Sequence, residues 1–336
     1  MEYTTEEHKR LDLIFSDNLE LVKELEKGNP TGVFAKLSVD FIDLINLTGK
    51  GFEDVYLLDN VDSLLYNMNH IPECVFMLRN LKRLVWDEKH LTEIPQGIGK
   101  LVNLEYLSLA FNEISTLPDC MSNLKKLTHL ELKGNKIVDF PRSIFDMPSL
   151  TFLSLSGNEI KNIPQEIGQL TSLHTIMIYS NRLTSLPNSL SILPNLRSLL
   201  IKHNKIKNLP SDSHNLSGLT FLSWGDNGLT EFPTEIRNLT NLETLYLDDN
   251  NIKTVPDWIS ELTELDMFNL SDNNITQLPD SLCKMDLLGS LSVTRNPITH
   301  LPQAIGSIKS LYELYIYSTN ITVCPQIDGV EVHFLQ

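Results

Sequence analysis

Leucine and isoleucine recur along this chain with one fixed spacing. Between Leu150 and Ser172 the sequence reads LTFLSLSGNEIKNIPQEIGQLTS, with apolar residues at Leu150, Leu153, Leu155, Ile160, Ile163, Ile167 and Leu170. Shifting that pattern by 23 residues superimposes it on itself, from Leu81 through Leu104, Leu127, Leu173, Leu196, Leu219, Leu242, Leu265 and Leu288 to Leu311. Twelve of the sixteen prolines keep the same beat, from Pro72 to Pro325, without insertion or deletion. One period of this length predicts a solenoid of stacked units, none of which can bury its apolar face alone.

Each unit has a physical order. The alternation in L-x-x-L-x-L sends one set of side chains inward and the other outward, which predicts a short strand. One strand per repeat, all running the same way, gives a long parallel sheet. Asn112, Asn135, Asn158, Asn181, Asn204, Asn227, Asn250, Asn273 and Asn296 follow where the chain leaves the strand. An amide both donates and accepts, so a buried polar ladder between neighbouring turns is expected. Proline then fixes φ and biases its predecessor away from helix. A brief helical or 3-10 stretch such as QEIGQL returns on the convex side. Lys89 and Thr319 replace the asparagine in the first and last regular repeats. Trp86 and Trp224 stand at an inward position, where each indole N–H needs a carbonyl. Ser213 replaces the usual convex isoleucine, which predicts the least well packed repeat.

The ends depart from this template. In residues 1–57, Thr4 and Glu7 have capping-box spacing, and three helical stripes follow, broken at Gly28-Asn29-Pro30 and closed near Gly49-Lys50-Gly51. This region is expected to be a helical N-terminal cap over the first repeat. The solenoid is assigned to residues 58–325, degenerate from Leu58 to Asn80. Residues 326–336 alternate from Val330 to Leu335 like one more strand, a C-terminal cap. The expected class is an α/β solenoid, a horseshoe with a parallel concave β-sheet.

Composition narrows the function. A formal net charge of −16 argues against nucleic acid, whose binders need a basic footprint. No apolar run approaches the ~18 residues of a membrane span, and MEYTTEEHKRLD at the N-terminus lacks the apolar core of a signal peptide. Four cysteines without a C-x-x-C pair fit reduced thiols. The expectation is a monomeric cytoplasmic protein, with export left open for a bacterial source. Motifs for phosphate loops, nucleophile elbows and zinc proteases are absent, and the nine histidines lie scattered. No catalytic residue, metal or cofactor is expected.

The unit, with LTEIPQGIGKL, KNIPQEIGQL and THLPQAIGSI as examples, resembles the intracellular leucine-rich-repeat family. The nearest types are Ras-group repeat proteins, LAP scaffolds and bacterial repeat proteins and effectors. The resemblance spans roughly Leu58 to Pro325. It implies a curved right-handed solenoid that holds a protein partner on its concave sheet, and it carries no catalytic residues.

On such a scaffold the third, fifth and seventh residues of each repeat emerge on the concave face, with the eighth at the rim. Equivalent positions form ladders about 4.8 Å apart. Tyr106, Phe152, Met177, Tyr179, Leu200, Phe221, Tyr246 and Met267 place large apolar groups there, and such side chains anchor interfaces. Asp226, Asp248, Asp249 and Asp272 gather at the later rim as a docking edge for a basic partner. Lys133, Lys136, Arg182, Lys202, His203 and Lys205 make the earlier-to-middle rim basic, so a dipolar surface is expected. The function expected is a non-enzymatic protein-interaction module. The alternatives are a scaffold that self-associates through its apolar patch or through Tyr312, Tyr315 and Tyr317, and a bacterial effector that engages a host protein.

Overall fold

The computed structural model describes residues 54–55, 70–71, 75–76, 81–323 and 327–334. The helical cap expected over residues 1–57 lies outside them, apart from the strand pair 54–55. Thirteen strands form one parallel sheet in sequence order. They are β1 (Asp54–Val55), β2 (Arg83–Val85), β3 (Tyr106–Ser108), β4 (His129–Glu131), β5 (Phe152–Ser154), β6 (Thr175–Met177) and β7 (Ser198–Leu200). β8 (Phe221–Ser223), β9 (Thr244–Tyr246), β10 (Met267–Asn269), β11 (Ser290–Ser292), β12 (Glu313–Tyr315) and β13 (Glu331–His333) complete it. From β2 to β12 the register advances by one period, as in Phe152 opposite Thr175. The ends differ: Asp54 faces Arg83, and Glu313 faces Glu331. The alternating tail is therefore a thirteenth strand, parallel to the twelfth, as its pattern predicted.

The inward side chains make one continuous core along the stack, including Leu153, Leu155, Ile160 and Ile167 of the central repeat. On the convex side the repeats from Leu81 to Leu288 return through 3-10 turns, such as Gln165–Gln169. The preceding proline has extended backbone, and its carbonyl accepts from the third residue of the turn, as Pro164 does from Ile167 at 3.2 Å. Proline suits this place because it has no N–H to leave unpaired. Around Ser213 the turn contracts to Ser213–Asn215. Trp224 is fully buried and donates its indole N–H to the Ile206 carbonyl at 3.0 Å. Trp86 is buried too, but its indole nitrogen finds no acceptor among the described residues.

The asparagine ladder holds the repeats in register. Asn158 Oδ1 accepts from the Ile137 amide at 3.0 Å in the preceding repeat. Its Nδ2 donates to the Leu132 carbonyl of that repeat and to its own Leu155 carbonyl, each at 3.0 Å. The same stitch recurs from Asn112 to Asn296, with Oδ1 distances of 2.8–3.0 Å, except that Asn227 makes its own-repeat bond to the Gly225 carbonyl. At the last regular repeat Thr319 keeps one part of it, its hydroxyl donating to the Ile316 carbonyl at 3.0 Å.

Removing one rung leaves backbone groups buried and unpaired. Asn158→Ala should lower unfolding stability by about 1–3 kcal/mol, read from the urea midpoint. Replacing the exposed neighbour Lys161 by alanine should shift stability by about 0.5 kcal/mol or less. Equal effects from the two substitutions would contradict the ladder's role.

Candidate interaction surface

Strand alternation places the third and fifth residues of each repeat on the concave face, and register sets their neighbours. In the third-position ladder three rings stack face to face along the sheet. Tyr106 lies 5.5 Å from His129, and His129 lies 4.8 Å from Phe152, with planes within 20° and 9° of parallel. The Arg83 guanidinium closes this column, 3.5 Å above the Tyr106 ring. In the fifth-position ladder Met177 and Leu200 are direct partners across β6 and β7. Phe221 meets Tyr246 from the adjacent strand in an edge-on contact at 5.5 Å. Met267, on β10, is 36 % exposed. The apolar residues expected on this face are all there, and most are half-buried against one another.

The rim residues are arranged differently from the expectation of two opposed charge blocks. Asp248 is only 7 % exposed, so it is a buried carboxylate rather than a solvated rim group. Lys202 binds it at 2.5 Å and reaches Asp249 at 3.4 Å. His203 pairs with Asp226, and Arg295 pairs with Asp272. On the earlier rim Lys136 and Arg182 are held by Glu113 and Glu159, at 2.6 and 2.9 Å. The signs are interleaved and neutralise one another, because residues one or two repeats apart are close enough to pair. Burial pulls the Lys202 ammonium down, but hydrogen bonds and charge from Asp248 and Asp249 hold it above the ordinary lysine value.

Backbone geometry supplies a second reason for the rim aspartates. The eighth residue of each regular repeat has positive φ: Asp226, Asp249 and Asp272 at 44°, 56° and 55°, with Gly134 and Gly157 at the same place. Aspartate and glycine tolerate this left-handed conformation better than bulky residues do. Phe111 occupies the same position at φ 52° and is nonetheless 51 % exposed. A large aromatic there is both strained and uncovered, which marks it as a functional candidate. Sequence reasoning passed over it, although a phenylalanine in a column otherwise made of glycine and polar or charged residues was a visible signal.

A small residue at the seventh position lets its neighbours meet above it. Gly225 lies between Lys202 and Asp248, and a methyl group on it would sit 2.8 Å from Asp248 Oδ1. Ser156 lies in the same way between Lys133 and Tyr179. The Lys133 ammonium is 5.6 Å from the Tyr179 ring centroid and 5.2 Å from that of Phe111, within cation–π range. Among the described residues no group of three His, Cys, Asp or Glu side chains is placed to hold a metal. No described helix is long and apolar enough to cross a membrane.

Comparison with known proteins agrees with this geometry. A model described as leucine-rich repeat region matches residues 96–176, and one described as leucine rich repeat matches 148–206 and 217–275. A leucine-rich-repeat protein of Leptospira interrogans is 30% identical, with a TM-score of 0.66 over 79% of this chain and 75% of that one. The chain belongs to the leucine-rich-repeat family. The functional domain of InlJ from Listeria monocytogenes shares the fold at 24% identity and a TM-score of 0.64, over 79% of this chain and 54% of that one. The Arabidopsis receptor kinase HAESA, solved with the peptide hormone IDA and a co-receptor, is 26% identical with a TM-score of 0.61. That alignment covers 71% of this leucine-rich-repeat chain and 42% of the receptor chain. No curated protein sequence matches.

The stacked column of this leucine-rich-repeat sheet carries its own pH signature. Burial holds the His129 imidazole below the ordinary histidine value; the Arg83 charge adds to this and Glu131 opposes it. Between the folded value and the ordinary one near ~6.5, the unfolded chain binds more protons. This part of the stability is therefore complete above the ordinary value and is lost as pH falls through it. His129→Phe keeps the stack and removes the titration. Urea unfolding should show wild type losing stability relative to this variant as pH falls below neutrality, and parallel profiles would contradict the assignment.

Proposed function

We propose that this protein is a non-enzymatic interaction module that binds a protein partner on the concave face of the sheet. The observation that carries the reading is the row of large apolar side chains where the repeat needs none: Tyr106, Phe152, Met177, Leu200, Phe221, Tyr246 and Met267, with Phe111 and Tyr179 above them. The inward leucines and the asparagines already build the scaffold. These side chains add area that a partner would remove from water, and aromatic and methionine groups are the usual anchors of such contacts. The receptor kinase with its hormone and co-receptor gives a precedent for ligand binding on this scaffold at 26% identity. The rim pairs set orientation more than affinity, because their charges are already matched internally. Cys120 and Cys283 are free thiols, in keeping with a reducing compartment such as the cytoplasm.

The self-associating alternative draws less support. Tyr315 is stacked on His333 at 4.2 Å, and Tyr317 leans on the same ring, so β13 covers most of the tyrosine-rich strand. Only Tyr312 of the three is well exposed.

The test uses the full chain as bait, beside the Met177→Asp, Leu200→Asp double variant. The wild type should retain a specific partner that the variant loses, while both melt at nearly the same temperature, since both side chains lie on the open face. Retention by the variant with unchanged affinity would exclude the concave face.

A further inference from the structure

Lys133, Ser156 and Tyr179 hold the seventh position of three consecutive repeats. The outer two approach each other over the middle one. The Lys133 ammonium lies 5.6 Å from the centre of the Tyr179 ring, and the Tyr179 phenol is the main reason that ammonium sits above the ordinary lysine value. Beneath that pair Ser156 is 0 % exposed, and its hydroxyl has no hydrogen-bond partner. Ser154, on the same face of β5, is 1 % exposed and also unpartnered. Buried hydroxyls are normally satisfied, and an exception needs a reason. The surrounding backbone does not supply one, because the Ser156 carbonyl is already taken by the Gly134 amide and the Tyr179 carbonyl by the Gly157 amide.

The charge on Lys133 is also unmatched. Lys202 holds the same position one repeat beyond Tyr179 and is bound to Asp248 and Asp249. Lys133 has no carboxylate at ion-pairing distance among the described residues; Glu131, two residues earlier on the same face, acts on it only at longer range. Its ammonium rests instead against the rings of Phe111 and Tyr179. An unmatched cation, a phenol that can donate and a buried hydroxyl lacking a partner therefore stand side by side at the seventh position of three consecutive repeats.

We propose that Lys133, Ser156 and Tyr179 form a receptor for a single carboxylate, an aspartate or glutamate side chain within the partner segment. This rests on the concave-face reading above. The carboxylate accepts from the Lys133 ammonium, the Tyr179 phenol and, once the pair above it parts, the Ser156 hydroxyl. Charge-assisted bonds of this kind are the strong ones. The acid lies inside a segment rather than at its end, because apolar side chains continue on both sides of the receptor: Phe111 and Tyr106 toward β3, Met177 and Leu200 toward β7. It stands alone, because a net charge of −16 repels a run of acids.

The test pans a displayed library of short random peptides against the full chain. Peptides selected by the wild type should carry one Asp or Glu among aromatic or aliphatic residues. They should bind Lys133→Met and Ser156→Ala roughly tenfold more weakly, and panning on Lys133→Glu should replace the acid by Lys or Arg. Acid-bearing peptides that bind Lys133→Met as tightly as wild type would overturn the receptor. Peptides that lack the acid but still need Met177 and Leu200 would overturn it too, and would leave the docking reading intact. Peptides indifferent to Met177→Asp and Leu200→Asp, or no enrichment at all, would count against both.

Discussion

The asparagine ladder is the constraint on which the rest of this protein depends. Each amide ties the turn of one repeat to the backbone of the repeat before it, and it does so where water is excluded. Such bonds contribute modestly when made and cost far more when one partner is missing. The ladder therefore acts mainly on register. Once one rung is placed, the next strand has a single position at which its leucines point inward and its amide finds its acceptors. Thirteen short strands, each too brief to persist alone, become one sheet by this repetition.

Fixed register makes the concave face addressable. Side chains 23 residues apart in sequence become lateral neighbours, so stacks such as Tyr106, His129 and Phe152 follow from which residues share a template position. Size matters at the seventh position. Glycine or serine there opens a gap over which the side chains two repeats apart close, as Lys202 closes on Asp248 over Gly225. Lys133 approaches Tyr179 across Ser156 at longer range, its ammonium 5.6 Å from the ring centre. One pair neutralises a carboxylate; the other leaves a cation facing aromatic rings. The two pairs thus separate an internally satisfied stretch of the face from one that still has bonds to offer.

Much of the fold was legible because periodicity is a one-dimensional property. The inward positions, the asparagines, the proline-led turns and the alternation of the last strand are all written at fixed distances along the chain. The concave residues were legible in place but not in partnership. Asp248 read as a solvated rim acid, since nothing local shows that a lysine 46 residues earlier covers it. The rim aspartates read as a charge feature, although their left-handed backbone is an equal reason for their presence. The eighth position was legible only as a source of rim charge, which hid Phe111: its exposure arises from the left-handed turn that follows the strand.

In the proposed function the inward residues build the solenoid while the concave ones choose the partner. Hydroxyl-radical footprinting of the full chain, free and loaded with the partner the wild-type bait retains, addresses it residue by residue. Phe111, Met177, Tyr179 and Tyr246 should be protected, with Ile192 and Trp258 on the convex side oxidised as before. Protection of Ile192 and Trp258 with Met177 and Tyr179 unchanged would contradict that function.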